Sequence, residues 1–515
     1  MGRIGSLGWA GAIAAAAALG GCAAAPAKPA AVQAPGSAQV PVAWLNRVTW
    51  GANASTEERA STLGASRYLE QQLHPGRTVL PPEAESQIAS MTITQTSLEQ
   101  LAREFEQRRR DFDRQAGDDA RQAARRQYQQ DLNRLAKEAS TRFLLRSLYS
   151  PNQLLEQMDW FWMNHFNVFA GKHNLRAAVG DYEEHAIRSH ALGRFRDLLA
   201  ATAHHPAMLV YLDNAQNAAN RINENYAREL MELHTLGVDG GYTQRDVQEL
   251  ARILTGVGIN LHGETPKVRR ALQSQYVRNG LFEFNPNRHD YGDKQFLGHT
   301  IRGSGLHELD EALDLLARHP ATARHISRKL AVYFVADEPP ASLIDAMART
   351  FSQTDGDIAA VLRTMFNSPE FTRSLGHKFK DPVHYAISAV RLAYDGKPIL
   401  NANPLNNWLH RMGEPLYGHQ TPDGYPMIET AWASAGQMTT RFEIARAIGS
   451  GAAGLFKTEG ERPVERPAFP QLANSLYYDA IRKTLSKSTR DALDQASSPQ
   501  EWNTFLLSAP EMMYR

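Results

Sequence analysis

The segment NENYARELMELHTLGVDGGYTQRDVQELARILTG, residues 223–256, carries the clearest helical pattern in the chain. On both sides of its Gly-Gly turn, apolar residues recur at intervals of three and four, the spacing of a helix with one buried face. Gly237 is placed to end the first helix. Thr243 is placed to cap the second, with Asp246 three residues later in a capping-box arrangement. The segment therefore predicts two helices joined by a short turn.

Two carboxylates make the first of these helices a candidate site. Glu229 and Glu232 lie three residues apart, so a helix presents them on one face, while His234 points elsewhere. Paired carboxyl groups can act as acid and base in hydrolysis, and we predict that both residues are catalytic. The alternative is structural, with Arg228 and Arg252 neutralising the carboxylates. The spacing matches neither an HExxH zinc helix nor a Glu-x-x-His di-iron bundle.

The N-terminus predicts export and lipidation. Residues 1–21 combine a short basic start with an apolar run too short to cross a bilayer, which needs about 20 apolar residues, so they indicate a signal peptide. Its final letters, LGG before Cys22, resemble a bacterial lipobox. We expect Cys22 to carry lipid and to anchor the protein in the cell envelope, at the outer membrane facing the periplasm or the surface. Residues 22–41 are rich in Ala and Pro and predict a tether.

Composition narrows the possible chemistry. Cys22 is the only cysteine among 515 residues, so the mature domain has no thiol for a disulfide, a nucleophile or a zinc–thiolate site. A formal net charge of +1 argues against nucleic acid as a partner. Neither a Gly-x-Ser-x-Gly elbow, a P-loop nor a dinucleotide-binding glycine motif occurs. Acid–base chemistry by His, Asp and Glu remains, as does a metal site built from His and carboxylates.

Helical periodicity extends over most of residues 42–515, for which we predict one large, mainly α domain of many helices. The expected helices of its C-terminal half cover residues 306–335, 343–365, 382–392, 431–448 and 477–493. Strand-like alternation is confined to residues 267–303, where Phe282 and Phe284 predict a small β-hairpin.

Residues 97–138 predict a charged arm inserted into this domain, either a long helix or a helical hairpin. Its outer face mixes Arg, Asp and Glu, which is typical of a solvated surface. One narrow apolar seam at heptad-like spacing gives the arm a buried side. The seam consists of Leu98, Leu101, Phe105, Phe112, Tyr128, Leu132 and Leu135.

An aromatic run, DWFWMNHFN at residues 159–167, contains the second candidate. Aromatic walls with a few convergent polar groups are typical of sugar and other small-molecule sites. We therefore predict that His165 is catalytic and that four neighbours bind substrate, namely Trp160, Trp162, Asn164 and Asn167. The alternative is an aromatic stripe in the core with a structural histidine.

The third candidate is the segment RHDYGDKQFLG at residues 288–298, read as a loop. Polar clusters on loops often carry function, and a His beside an Asp can act as a general base or a metal ligand. We predict that His289 and Asp290 are catalytic and that Lys294 binds substrate, with a plain turn as the alternative.

A helix that Pro320 begins carries the fourth polar pattern. Its basic residues, Arg324, Arg328 and Lys329, could bind an anion. Because basic side chains on helices are usually solvated, we interpret this pattern as an exposed face.

The segment 223–256 resembles the hallmark segment of a large bacterial family called domain of unknown function 1800. The resemblance also rests on VAWLNRVTWGA, MDWFWMNHFNV, HDYGDKQFLG, HPATARHISRKLAVYFV, FKDPVHYAISAVRLA and MGEPLYGHQTPDGYP. One departure is Val257, where members of the family often have Trp. The resemblance implies an exported, mostly helical protein, and a partner from the sulfatase-like family of unknown function 1501, but no assigned catalytic residues.

Two functions fit these observations. The first is an enzyme of the cell envelope, a hydrolase of a carbohydrate-like polymer outside the cytoplasm, using acid–base or metal-assisted chemistry. The second is a lipid-anchored scaffold or assembly partner of an envelope or secretion system, docking through the arm at residues 97–138. The sequence names neither the cofactor nor the substrate.

Overall fold

Helices dominate the protein, as predicted. The computed structural model describes residues 40–114, 117–458 and 469–515. The predicted signal peptide, Cys22 and nearly all of the tether lie outside the described residues. None of the helices in these ranges combines the length and the apolar character needed to cross a membrane.

The described chain begins with short helices that pack beside the start of the main core. The second of them begins at a side-chain cap, since Asn53 accepts a hydrogen bond from the Thr56 amide (3.1 Å). These helices are α1 (Val42–Val48), α2 (Ala54–Leu63), α3 (Ala65–Leu73), α4 (Pro82–Ala89) and α5 (Thr92–Gln95).

The predicted arm is a helical hairpin of α6 (Leu98–Asp113) and α7 (Asp118–Tyr149). Its predicted seam is confirmed, because six of the seven seam residues form a small separate core with Ala177. Leu98 packs against the main core instead. The arm does not stand free of the domain, since α7 continues beyond residue 138 and buries Phe143 and Leu148 in that main core.

The middle of the chain builds the elements that later position the candidate site. The predicted hairpin at residues 223–256 is present as two helices separated by a turn, with the Thr243–Asp246 capping box formed. The elements are α8 (Gln153–His165), α9 (Val179–Asp181), a π-helical turn (Tyr182–Ile187), α10 (Phe195–His204), α11 (Pro206–Tyr211), α12 (Asn225–Glu232) and α13 (Gln244–Ile253).

Two small antiparallel sheets follow where one hairpin was predicted. In the first, β1 (Val257–Ile259), β2 (Val277–Asn279) and β3 (Phe282–Phe284) have the order β1–β3–β2. Val257 pairs with Phe284 and Ile259 with Phe282. The second joins β4 (Lys294–Phe296) to β5 (His299–Ile301). Strands of three residues are too short for alternation to reveal each of them in the sequence.

The C-terminal half is again helical. The predicted helix at 306–335 is two helices, because Pro320 lacks a backbone N–H and starts a new one. The helices are α14 (His307–Arg318), α15 (Pro320–Phe334), α16 (Ala341–Gln353), α17 (Ile358–Phe366), α18 (Pro369–Ser374), α19 (Pro382–Ala393), α20 (Asn403–Arg411), α21 (Ala435–Gly449), α22 (Arg482–Thr484), α23 (Lys487–Asp494) and α24 (Pro499–Ser508).

Candidate functional site

Helix α12 ends earlier than its sequence predicts, and this early end creates the site. The helix stops at Glu232, five residues before Gly237. His234, Thr235 and Leu236 are all buried, and a continuing helix would turn about 100° per residue and carry one of them into solvent. Gly237 then passes His325 with φ +83°, where a Cβ atom would lie 2.8 Å from the imidazole Nδ1. The turn brings His234 against α8.

The imidazole rings of His165, His234 and His325 lie close together beside this turn. His165 donates its Nε2–H to the carbonyl oxygen of His234 (3.1 Å), and His325 donates its own to that of Leu233 (3.2 Å). The His165 ring centroid lies 6.0 Å from that of His234 and 6.2 Å from that of His325. Within the described chain, His165 Nδ1 and both ring nitrogens of His234 have no hydrogen-bond partner.

Burial keeps these three imidazoles neutral. It lowers the pKa of His234 to about 3 and that of His325 to about 4, and it lowers the pKa of His165 well below its usual range. The second cause in each case is the ammonium group of Lys329. We call these four residues, His165, His234, His325 and Lys329, the histidine–lysine cluster.

Lys329 is the charged member of that cluster, one turn after His325 on α15. Its side chain makes no hydrogen bond and no ion pair with the described residues. Burial lowers its pKa to about 8, and Asp423 opposes this shift. The sequence grouped Lys329 with Arg324 and Arg328 as an exposed face. That interpretation is wrong for Lys329, which is partly buried while the two arginines are exposed.

The loop at residues 417–425 lies next to the cluster and is held by two predicted substrate-binding residues. Asn164 donates to the carbonyl oxygen of Tyr425 (2.9 Å) and accepts from its amide (2.6 Å). Asn167 donates to the carbonyl oxygens of His419 (3.0 Å) and Thr421 (2.8 Å). Both amide side chains are largely buried. Because their N–H groups donate hydrogen bonds to the backbone of the loop, they fix its position.

This loop presents Asp423 to solvent, with 62% of its side chain exposed. Thr421 donates its hydroxyl to the carboxylate (2.5 Å), and His419 Nε2 lies 3.2 Å from it. Burial alone would raise the pKa of Asp423, but these hydrogen bonds lower it overall. The residue is therefore a carboxylate that stays ionised in acid solution.

The pKa of Glu229 is shifted in the opposite direction to that of Asp423. Burial raises its pKa, and the negative charges of Glu232 and Asp423 raise it further. Its carboxyl group forms no hydrogen bond or ion pair within the described residues, since Arg228 pairs with Glu224 instead (3.3 Å). Glu232 accepts a long hydrogen bond from the Tyr242 hydroxyl (3.4 Å). We call Glu229, Glu232 and Asp423 the carboxylate rim.

The two tryptophans predicted to bind substrate lie in the core. Trp162 is fully buried and donates its indole N–H to the carbonyl oxygen of Ala191 (2.9 Å). Trp160 is 5% exposed and contacts Phe143 and Tyr425. Both indole rings are therefore part of the packed core around α8, and this burial favours the structural alternative for the aromatic run.

His289 and Lys294 belong to a separate buried network. His289 Nε2 lies 2.8 Å from one carboxylate oxygen of Glu308, and the Lys294 ammonium group pairs with the other. All three side chains have 0% exposure. Asp290 forms a two-point ion pair with Arg252 at 2.8 and 3.1 Å.

These pairs tie the β4–β5 hairpin to α13 and α14. Glu308 was missed in the sequence, although its place in the first turn of a helix after Gly305 is a signal for a capping carboxylate. The contacts of this network do not overlap those of the carboxylate rim. Of the five predicted catalytic residues, Glu229, Glu232 and His165 share one neighbourhood, and His289 and Asp290 lie in the other.

Several members of the site were not among the predicted site residues. His234 was thought to point away, and His325, Lys329, His419 and Asp423 were not selected. For these last four residues, the only signal was that they lie in the family-like segments HPATARHISRKLAVYFV and MGEPLYGHQTPDGYP. Within the described ranges, no group of three or more His, Cys, Asp or Glu side chains is placed to hold a metal ion.

Comparison with known proteins gives one result. No curated protein and no solved structure matches the chain. A family match covers residues 43–514, which include every element of the carboxylate rim and the histidine–lysine cluster. The chain therefore belongs to the family described as Protein of unknown function (DUF1800).

Proposed function

We propose that the protein is a hydrolase of a carbohydrate-like polymer in the cell envelope, with Glu229 as general acid and Asp423 as general base. One observation carries the proposal: two neighbouring carboxyl groups have pKa values moved apart, that of Glu229 upward and that of Asp423 downward. Such a separation assigns the proton donor and the proton acceptor of an acid–base pair.

In this reaction, Glu229 donates its proton to the oxygen of the leaving group as the bond to that oxygen breaks. The Asp423 carboxylate accepts a proton from the water molecule that attacks the other side of the bond. Water is thus split between the two products, and the two carboxyl groups exchange protonation states. Solvent then restores the starting state, because both residues are accessible to it.

The histidine–lysine cluster favours this reaction through its charge. The partly buried Lys329 places a positive charge near Asp423, and that charge favours the ionised form of the base. Asn164 and Asn167 set the position of the base by fixing its loop.

For its location, we propose the lipid-anchored form expected from Cys22, exported and held at the outer membrane. The LGG–Cys22 pattern supports it, as does the lack of any other cysteine. A protein of the sulfatase-like family of unknown function 1501 is the proposed partner on the same polymer. Replacing Cys22→Ala is expected to abolish incorporation of labelled palmitate and to release the protein from the membrane fraction.

The activity test uses full-length protein purified in detergent with a panel of bacterial envelope polysaccharides, measuring new reducing ends. Release by the parent, lost in Glu229→Gln and in Asp423→Asn, is the expected result. Glu311→Gln, an exposed residue on α14 outside the site, serves as the control. If both site variants release reducing ends at the parent rate, the assignment is wrong. If binding to a partner survives in folded variants without any hydrolysis, the scaffold function takes its place.

A further inference from the structure

A cleft of about 620 Å³ lies between the arm and the body of the domain, away from the carboxylate rim. One wall is α6, and the facing wall is formed by α11 and the three-stranded sheet. The volume falls within the range of about 300–1,000 Å³ that is typical of small-molecule sites.

The walls of the cleft are mainly apolar, and the polar residues that also line it are Glu106, Arg109, His173, Asn174, Asp213 and Gln216. Ala102 and Phe105 contribute from the arm, Val210 from α11, and Ile259 and Leu281 from the sheet. Among the lining residues, Phe105 is the only Phe, Tyr or Trp, and His173 adds an imidazole ring. A flexible hydrocarbon chain fits such walls, because it gains by leaving water and needs no directional contact.

The cleft continues into a polar groove of about 930 Å³, with which it shares Glu106, Ile259 and Leu261. Charged side chains of both signs line this groove, including Arg103, Arg110, Lys267, Glu264 and Glu283. An apolar cleft that opens directly into a charged groove is complementary to an amphiphile, with its chain in the first and its polar head in the second.

The arm contacts the sheet region through two polar pairs, one partly buried and one exposed. Arg278 pairs with Glu99 (2.9 Å), and Arg110 lies 2.8 Å from His262 Nδ1. Surface pairs of this kind contribute little to stability, about 0–1 kcal/mol each in general, and rearrange readily.

We propose that this cleft binds the aliphatic chain of an amphiphile, such as a fatty acid or the acyl chain of a phospholipid, with the polar head in the adjoining groove. The site shares no residue with the carboxylate rim or the histidine–lysine cluster. Its test is therefore independent of the proposed hydrolase activity.

Photo-crosslinking tests the proposal on the full chain. Purified protein is irradiated with a fatty acid that carries a diazirine at the end of its chain, and the labelled peptides are mapped by mass spectrometry. We expect labelling in residues 98–109 and 206–216, and at least tenfold less labelling in Ala102→Phe, which fills the cleft from the arm. Ala123→Phe, an exposed position on α7, is the matched control and should label like the parent.

Competition by unlabelled fatty acids adds a second measurement. Each added CH₂ group is expected to strengthen competition about fourfold while the chain fits in the cleft. Vesicles with a diazirine phosphatidylcholine distinguish the source, since labelling there identifies membrane lipid and labelling only by free acid identifies the soluble form. Labelling only of peptides that do not line the cleft overturns the proposal, where the lining peptides are 98–109, 173–178, 206–216, 259–261 and 281. Equal labelling of Ala102→Phe and Ala123→Phe, with both variants shown by thermal unfolding to be folded, overturns it as well.

Discussion

Glu229 and Asp423 set the expected pH dependence of the proposed reaction. The acid must be protonated, so activity falls as pH rises through the elevated pKa of Glu229. The base must be ionised, so activity falls as pH drops through the lowered pKa of Asp423. The optimum therefore lies on the acid side of neutrality. In Glu229→Gln we expect kcat to fall about 10²- to 10⁴-fold and the alkaline decline to vanish from the pH–rate profile.

Lys329 gives a second prediction, about stability. Its folded pKa of about 8 lies below its ordinary 10.5, so the unfolded chain binds more protons between these values and the parent gains stability as pH rises through them. At pH 7 the partly buried charge of Lys329 is unfavourable, and Lys329→Met is expected to be more stable by about 1–3 kcal/mol. The difference should shrink above pH 8.

Urea unfolding at a series of pH values measures this difference. Lys487→Met on α23 is the control, because that side chain is 82% exposed, and it should shift the free energy of unfolding by no more than about 0.5 kcal/mol at any pH. A difference for Lys329→Met that stays constant from pH 7 to pH 10 contradicts the prediction.

Among the elements, the loop at residues 417–425 depends on one glycine. Gly424 has φ +76°, and a Cβ atom there would lie 2.1 Å from the carbonyl oxygen of Asn164. Gly424→Ala should therefore displace the loop and Asp423, lower stability by about 2–4 kcal/mol and abolish activity. Gly413 has a similar φ of +82° and no atom within 4 Å of its Cβ position.

Gly413→Ala thus isolates the backbone cost, about 1 kcal/mol. Limited proteolysis of the loop, thermal unfolding and activity are measured on both variants. Equal behaviour of the two would mean that the contact with Asn164 does not fix the loop.

The β4–β5 hairpin depends on Glu308. In Glu308→Gln the Lys294 ammonium group loses its counter-charge while its side chain stays fully buried, so we expect a loss of about 3–5 kcal/mol in the free energy of unfolding. Glu311→Gln, at a 43% exposed position on the same helix, should change it by less than about 0.5 kcal/mol. Urea titration of both variants checks this, and comparable losses would show that the network is not what holds the hairpin.

Elements whose ends depend on local chemistry could be predicted from the sequence. The capping box of Thr243 and Asp246 needs only two residues three positions apart, and it formed as expected. The end of α12 could not be predicted. Gly237 is a sound local stop signal, but burial of His234 against α8, almost 70 residues earlier in the chain, ends the helix sooner.

On the scale of the whole molecule, the mainly helical fold and the seam of the arm followed from periodicity, which is a property of each segment alone. Periodicity did not predict which residues make up the candidate site. The site joins α8, α12, α15 and the loop at 417–425, and only tertiary packing decides that Lys329 faces His325 and Asp423 while Arg328 faces solvent. The same limit explains why His289 and His165 lie in separate clusters, although the sequence predicted both to be catalytic.

The arm has its own small core, so we expect it to open without unfolding the body. Leu132 is fully buried in that core, and Leu132→Ala should remove about 2–5 kcal/mol of local stability. Hydrogen exchange should then accelerate in residues 98–135 and stay unchanged in α15 and α16. Leu330→Ala in the main core is the matched comparison and should accelerate exchange throughout the domain. If Leu132→Ala also accelerates exchange throughout, the arm and the body unfold as one cooperative unit, because α7 transmits the loss from one core to the other.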